Sequence, residues 1–225
     1  MPKQKDDAWK ARGNCHDAVK QGNVMIPARP RDTREHIIKT CRQLFTARGF
    51  VSTPISAVIE ATGVKKGNLY YYFPSKEALG LAVLEDARDD FFALLEASCV
   101  GPDHVERIIN SCTVLLQQME KDNFVGGCLF GNAALEMTEG DSRFAEVLHS
   151  VFGHWLTRVE ECLHEAESLA GCPFSLPVPR LAKLVVAAVE GGIMLSRLNR
   201  SRDDFQDCIL ALQTILRIEE PDRQI

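Results

Sequence analysis

The sequence predicts an all-α chain of about nine helices, a small helix-turn-helix head followed by a larger helical body. Three observations carry that expectation. Apolar residues recur at i, i+3, i+4 along residues 37–216, and no stretch sustains the period-two alternation of a strand. Residues 53–76, TPISAVIEATGVKKGNLYYYFPSK, hold two short helical stretches hinged at a glycine. Charge is divided along the chain: residues 25–76 carry 9 Lys+Arg against 3 Asp+Glu, whereas residues 77–225 carry 12 against 25, within a formal net charge of −5.

Taken in order, residues 1–30 are a polar stretch punctuated by Gly13, Gly22, Pro27 and Pro30, expected to be a disordered extension. Met25 is a candidate start of translation, an expectation that rests on the loss of periodicity ahead of it. The first helix begins at a capping-box-like Asp32 and Glu35, and Ile37, Ile38, Cys41, Leu44 and Phe45 form its apolar stripe. Arg48 suits the last turn, Gly49 the left-handed cap, and Phe50 is expected to fold back on the stripe. The second helix is read as capped by the Thr53 hydroxyl with Pro54 at its first position; Ile55, Val58 and Ile59 face inward and Gly63 stops it. In the third, Leu69 and Phe73 point inward, leaving Lys65, Lys66, Asn68 and Tyr71, with Tyr70 and Tyr72, outward. Pro74 ends it and Ser75 caps the fourth.

That outward face has the chemistry of a DNA contact: lysine neutralises phosphate, asparagine hydrogen-bonds base edges or phosphate, and tyrosine offers a hydroxyl and a ring. The run Gly63-Val64-Lys65-Lys66-Gly67-Asn68-Leu69-Tyr70-Tyr71-Tyr72-Phe73-Pro74-Ser75-Lys76-Glu77 resembles the signature G-V-S-K-G-T-L-Y-Y-H-F-x-S-K-E of the TetR family of bacterial transcription regulators. The resemblance covers about residues 31–84 and implies a DNA-binding domain there, with residues 85–225 as an effector-binding and dimerisation domain. It implies double-stranded operator DNA as partner and Thr53, Ser56, Lys65, Lys66, Gly67, Asn68, Tyr70, Tyr71, Tyr72 and Lys76 as contacts. Ser56 stands where relatives carry a longer side chain that sometimes reaches bases. Arg29 and Arg31 are candidates for a basic arm in the minor groove. A basic head on an acidic body would orient such a molecule on a polyanion.

Helix four is expected to run to Ser98, with Leu79, Val83, Phe91, Phe92 and Leu95 as interior contacts, and Gly101-Pro102 breaks the chain. Helices follow over residues 103–121, 128–139, 142–167, 180–200 and, after a Ser201 cap, 202–217; Pro173, Pro177 and Pro179 mark the longest loop. In TetR-family proteins the last two long helices form a four-helix dimer interface. By that resemblance Ala188, Gly191, Gly192, Leu195, Phe205, Ile209 and Leu212 are its candidates here, and a homodimer reading a palindrome is expected. The family also implies a small-molecule cavity among helices four to eight. Phe92, Phe124, Cys128, Phe130, Met137, Trp155 and Met194 are candidate lining, which favours a hydrophobic or aromatic effector.

Gly126-Gly127-Cys128-Leu129-Phe130-Gly131-Asn132 resembles a segment of the electrophile- and oxidant-responsive branch, related to N-ethylmaleimide sensors, with Cys128 at the sensing position. Arg197 departs from that branch, which has a lysine nearby. The expectation is therefore a ligand-released repressor; an activator, or a cysteine-based sensor of the same fold, stays open.

No cofactor, metal or catalytic set is expected, because the six histidines form no ligand motif and no nucleophile, base and acid converge. Nothing reads as a secretory signal or a membrane span, so a cytoplasmic protein is expected. Eight cysteines without a CxxC pair suggest reduced packing thiols.

Overall fold

The computed structural model describes residues 30–137, 141–171 and 173–217. The expected extension over residues 1–29, with Met25 and Arg29, lies outside the described residues, as do the side chain of Arg31 and the end of helix six at residues 138–140. Within them the chain is helical throughout: α1 Pro30–Arg48, α2 Ile55–Thr62, α3 Lys66–Tyr72, α4 Lys76–Ser98, α5 His104–Lys121, α6 Leu129–Met137, α7 Ser142–Ala170, α8 Val178–Asn199 and α9 Asp203–Ile215. No described helix is long and apolar enough to cross a membrane.

α1, α2 and α3 close one small core, in which Ile37, Ile38, Cys41, Phe45, Val58, Leu69 and Phe73 meet Leu79 and Val83 of α4. Phe50 packs against this core edge-on to Phe45, with ring centroids 5.2 Å apart, as the stripe predicts. Gly63 takes the left-handed conformation (φ 67°) and its N–H reaches the Ile59 carbonyl at 2.9 Å, which ends α2 and turns the chain into α3. The cap of α2 is a correction. Pro54, in extended conformation, holds the cap position without a side-chain bond, and the buried Thr53 hydroxyl instead donates to the Gly49 carbonyl at 2.7 Å. Thr53 thus braces the α1–α2 turn. Ser75 caps α4 by accepting the Ala78 N–H at 3.1 Å, an interaction that typically stabilises by about 1 kcal/mol.

α4 contributes to all three core clusters. Leu81, Leu84 and Ala87 on its flank meet Phe130, Ala133 and Met137 of α6 and Phe144, Val147, Leu148 and Val151 of α7 in a middle cluster. Its far end reaches the body core through Leu95. There α5, α7, α8 and α9 pack together around Ile108, Leu116, Trp155, Leu163, Leu181, Val185, Phe205, Ile209, Leu212 and Leu216. Asp103 caps α5 through the Glu106 N–H at 2.8 Å. α7 runs one turn past its expected end, to a left-handed Gly171. α8 starts two residues before the expected Arg180, because Pro177 supplies its cap and Pro179 fits the first turn.

Candidate nucleic-acid interface and the body that carries it

α3 begins straight after the Gly63 turn, and its inward anchors Leu69 and Phe73 are nearly fully buried. With those two fixed, a 3.6-residue period turns Lys65, Lys66, Gly67, Asn68, Tyr70 and Tyr71 to solvent, and Ser56 on α2 is exposed beside them. Tyr71 is 80% exposed and Tyr70 is exposed beside it in sequence, so both rings are open to a partner. The Arg34 guanidinium of α1 sits 5.3 Å over the Phe73 ring and adds a cation near the same helix, one the motif did not point to.

Three expected contacts are placed differently. Thr53 is buried with its hydroxyl occupied. Tyr72 turns toward the head core and packs edge-on to Tyr71, centroids 5.1 Å apart, because it lies three residues from Leu69 on the inward side. Lys76 folds back: its ammonium lies 4.4 Å over the Phe50 ring and donates to the Val51 carbonyl at 3.3 Å. Partial burial lowers the Lys76 pKa below the usual lysine value, opposed by the Glu77 and Glu136 carboxylates. Its primary partners are intramolecular.

Head and body meet at a joint that the sequence reading missed. Phe50 inserts against Gly80 of α4, where an added Cβ would lie 2.5 Å from the ring, and touches Phe144 of α7 with centroids 5.7 Å apart. Glu136 of α6 accepts the Val51 N–H at 2.9 Å. Gly126, at φ 93° in the loop before α6, lies so close to α1 that a Cβ would sit 2.5 Å from the Thr46 carbonyl oxygen. Arg42 of α1 pairs with Asp86 at 3.7 Å and with Asp90 on α4. Phe50 lies in the loop after α1 and Phe144 follows the periodicity of α7, so nothing in the pattern pairs them.

The candidate effector residues do not form one lining. Phe130 and Met137 belong to the middle cluster, Trp155 to the body core, and Phe124 packs against that core from its loop. Phe91 bridges the two clusters, with ring centroids 5.6 Å from Phe130 and 5.4 Å from Trp155. Phe92 lies against the His154 ring at 4.0 Å. Met194 is a correction: it is 62% exposed on the outer face of α8, away from the interior. A recess of about 380 Å³ lies at the C-terminal end of α4, lined by Cys99, Val100, Gly101, Arg107, Arg158, Glu161, Cys162 and Glu165.

Cys128 stands at the N-terminus of α6, where its Sγ accepts the Gly131 N–H at 3.3 Å. That bond and the helix end lower a thiol pKa, but burial dominates and, with the Glu190 carboxylate of α8, pushes it well above the ordinary value. Glu190 is itself raised by burial, and its Oε1 has no hydrogen-bond partner. Arg197 reaches the same corner, donating to Asn132 at 3.3 Å. Cys128 therefore rests as a protonated thiol.

The outer faces of α8 and α9 are apolar and exposed: Leu184, Met194, Leu195 and Leu198 on α8, Leu210 and Ile215 on α9. Gly191 faces open space on this side, and Ala188 is half-buried at its edge. Four of the interface candidates point the other way. Gly192 is buried against Phe205, where a Cβ would lie 2.6 Å from the ring and 3.2 Å from Cα, and Phe205, Ile209 and Leu212 are 0–2% exposed inside their own subunit. The small residue at 192 lets α9 seat on α8 within one chain.

Comparison with known proteins agrees with this architecture. The family model described as "Bacterial regulatory proteins, tetR family" matches residues 37–83, and the "Tetracyclin repressor-like, C-terminal domain" matches residues 105–212. The transcriptional repressor DhaR of Mycobacterium sp. (strain GP1) is 26% identical over 174 residues, covering 76% of this chain and 85% of its own. The repressor NemR of Escherichia coli (strain K12) is 23% identical over 187 residues, covering 82% and 94%. The crystal structure of a transcriptional regulator from Chloroflexus aurantiacus superposes with a TM-score of 0.74 at 27% identity, over 82% of this chain and 94% of the other.

Proposed function

Since the chain belongs to the TetR family of bacterial transcription regulators, we propose that it is a cytoplasmic homodimeric repressor that leaves a palindromic operator when a small molecule enters its body. The carrying observation is the free face of α3, with Lys65, Lys66, Asn68, Tyr70 and Tyr71 all exposed on a helix anchored by Leu69 and Phe73. Lys65 and Lys66 would meet phosphates, Asn68 and Tyr71 base edges and thymine methyls, and Ser56 the flank of the groove. Repressors appear among the relatives, DhaR and NemR included.

Dimerisation supplies the address. One seven-residue recognition helix spans too few base pairs for a unique site, whereas two related by a dyad read half-sites separated by one helical turn, ~34 Å, or more. The exposed ridge of Leu184, Met194, Leu195 and Leu198 with Leu210 and Ile215 is the surface a second copy would cover. Release needs a path from body to head, and the Phe50, Gly126 and Glu136 joint offers one: an effector that favours a shifted α6 or α4 would change the angle between the two heads. Its chemistry would be hydrophobic or aromatic, matching Phe91, Phe130 and Trp155.

Selection of bound fragments from the source genome, followed by footprinting and a compound screen for release, tests the reading. A protected palindrome, and dimers in sedimentation at micromolar concentration, are the expected results. Absence of any protected tract, or a lone subunit at that concentration, would overturn it.

A further inference from the structure

The recess at the C-terminal end of α4 takes no part in the surfaces described above, and two thiols form its floor. Cys99 caps α4, its N–H bonded to the Leu95 carbonyl at 2.8 Å, and Cys162 lies in α7. Their Sγ atoms are 3.4 Å apart although 63 residues separate them in sequence. Cys162 is nearly fully buried, while Cys99 is half-buried against the recess. Two guanidiniums flank the pair: Arg107 of α5, held by Glu165 and the Gly101 carbonyl, and Arg158 of α7, held by Glu96 at 2.8 Å and by Glu161.

The hydrogen bond shared with Cys162, with the Arg158 and Arg107 charges against burial and the Glu96 carboxylate, holds the Cys99 thiol below the ordinary value. Cys162 is pushed upward by the same bond and by burial. Elsewhere among the described cysteines burial works alone or dominates: Cys41 and Cys112 are pushed up to about 12, and Cys128 and Cys208 are raised. Cys99 is the more exposed residue of the pair and so the one an oxidant reaches first, with the buried Cys162 sulfur in contact behind it.

We propose that Cys99 and Cys162 are an oxidation site that accepts a small hydroperoxide and closes to a disulfide joining α4 to α7. The Cys99 thiolate attacks the terminal peroxide oxygen; the O–O bond breaks, Cys99 becomes the sulfenic acid, and the departing alkoxide or hydroxide takes a proton from solvent, facing the guanidiniums. Cys162 then attacks the sulfenic sulfur: an S–S bond forms, the S–O bond breaks, and hydroxide leaves with the Cys162 proton as water. Two thiols lose two electrons and the peroxide gains them. Bonding draws the sulfurs from 3.4 Å to ~2.05 Å, which pulls the end of α4 onto α7. The head core is built on the opposite end of α4 through Leu79 and Val83. The consequence for DNA affinity rests on the regulator reading; the thiol chemistry does not.

The test treats the full-length chain with about one equivalent of hydrogen peroxide, alkylates remaining thiols with iodoacetamide, and digests without reduction for mass spectrometry. The expected product is a Cys99–Cys162 cross-linked peptide pair. Cys99→Ser should slow thiol loss at Cys162 by at least about a hundredfold, and Cys162→Ser should accumulate a Cys99 sulfenic acid that dimedone traps. Both variants should keep the wild-type circular dichroism. Alkylatable Cys99 and Cys162 after oxidation of other cysteines, or no dimedone adduct at Cys99 in Cys162→Ser, would overturn the site. A second arm compares reduced and oxidised protein on a duplex the reduced protein selects from a random-sequence pool. A change of about tenfold, reversed by dithiothreitol, is expected. Equal affinities overturn the coupling; failure of the reduced protein to select any duplex counts against the regulator reading and leaves the digest to decide the chemistry.

Discussion

Gly126→Ala isolates the contact between body and head. An L-residue held at φ 93° costs about 1–2 kcal/mol, and a Cβ placed 2.5 Å from the Thr46 carbonyl oxygen adds the ~1–3 kcal/mol typical of overpacking. Together these predict a loss of about 2–5 kcal/mol. The clash is with backbone on α1, so no side-chain rotation removes it, and relief comes only if the loop before α6 and the head move apart. Gly153→Ala is the control: it lies within α7 with nothing near its Cβ position and should gain up to about 1 kcal/mol of helix propensity. Urea unfolding supplies the stabilities, and titration with a selected duplex supplies the affinities. Gly126→Ala is expected to lose both stability and DNA affinity. If it unfolds within about 0.5 kcal/mol of wild type and binds the duplex equally well, the joint does not set the posture of the head.

Three further outcomes are expected. Lys66→Ala should weaken binding to operator and random duplex alike and lower the slope of log affinity against log salt by about one, while Asn68→Ala should change sequence preference; identical losses on both duplexes for Asn68→Ala would reassign the base contacts. Leu198→Glu, on the exposed ridge of α8, should convert dimers to monomers in sedimentation with little loss of subunit stability, whereas Phe205→Ala should cost about 3–5 kcal/mol in unfolding because that ring is fully buried. A dimer that persists with the glutamate in place would put the interface elsewhere. Glu190 carries a pKa raised by burial, so the folded state binds the extra proton and stability falls as pH rises from the ordinary glutamate range through the folded pKa. Glu190→Gln should flatten that fall, read by thermal melts between pH 4 and pH 8.

The head was legible in the sequence because its signals are local. A glycine at 63, anchors four apart at 69 and 73, and a serine cap at 75 each act within one turn, and together they fix which side of α3 faces outward. Thr53 misled because a hydroxyl before Pro54 looks like a helix cap, and only the fold brings the Gly49 carbonyl within its reach. In α8 apolar residues occur on both faces: Val185, Val189 and Ile193 face the subunit core, and Leu184, Leu195 and Leu198 face outward. Periodicity has no means to tell an internal seam from an external one when both are apolar. Gly191 and Gly192, adjacent in sequence, consequently serve opposite sides. The joint at Phe50 and the thiol pair at Cys99 and Cys162 arise from contacts distant along the chain, which carry no local signature.

α9 seals the body from the very end of the described chain. Phe205, Ile209, Leu212 and Leu216 fill the flank left by α5 and α8, and His104 donates to the Leu216 carbonyl at 2.9 Å. On a translating ribosome the two regions therefore mature at different moments. The head, whose last core residue is Val83, is able to close while most of the polypeptide is still being made, but the body stays unfinished until residue 216 clears the exit tunnel. A stop codon placed before α9 would leave a nascent product with a closed head attached to a body whose apolar flank stays uncovered.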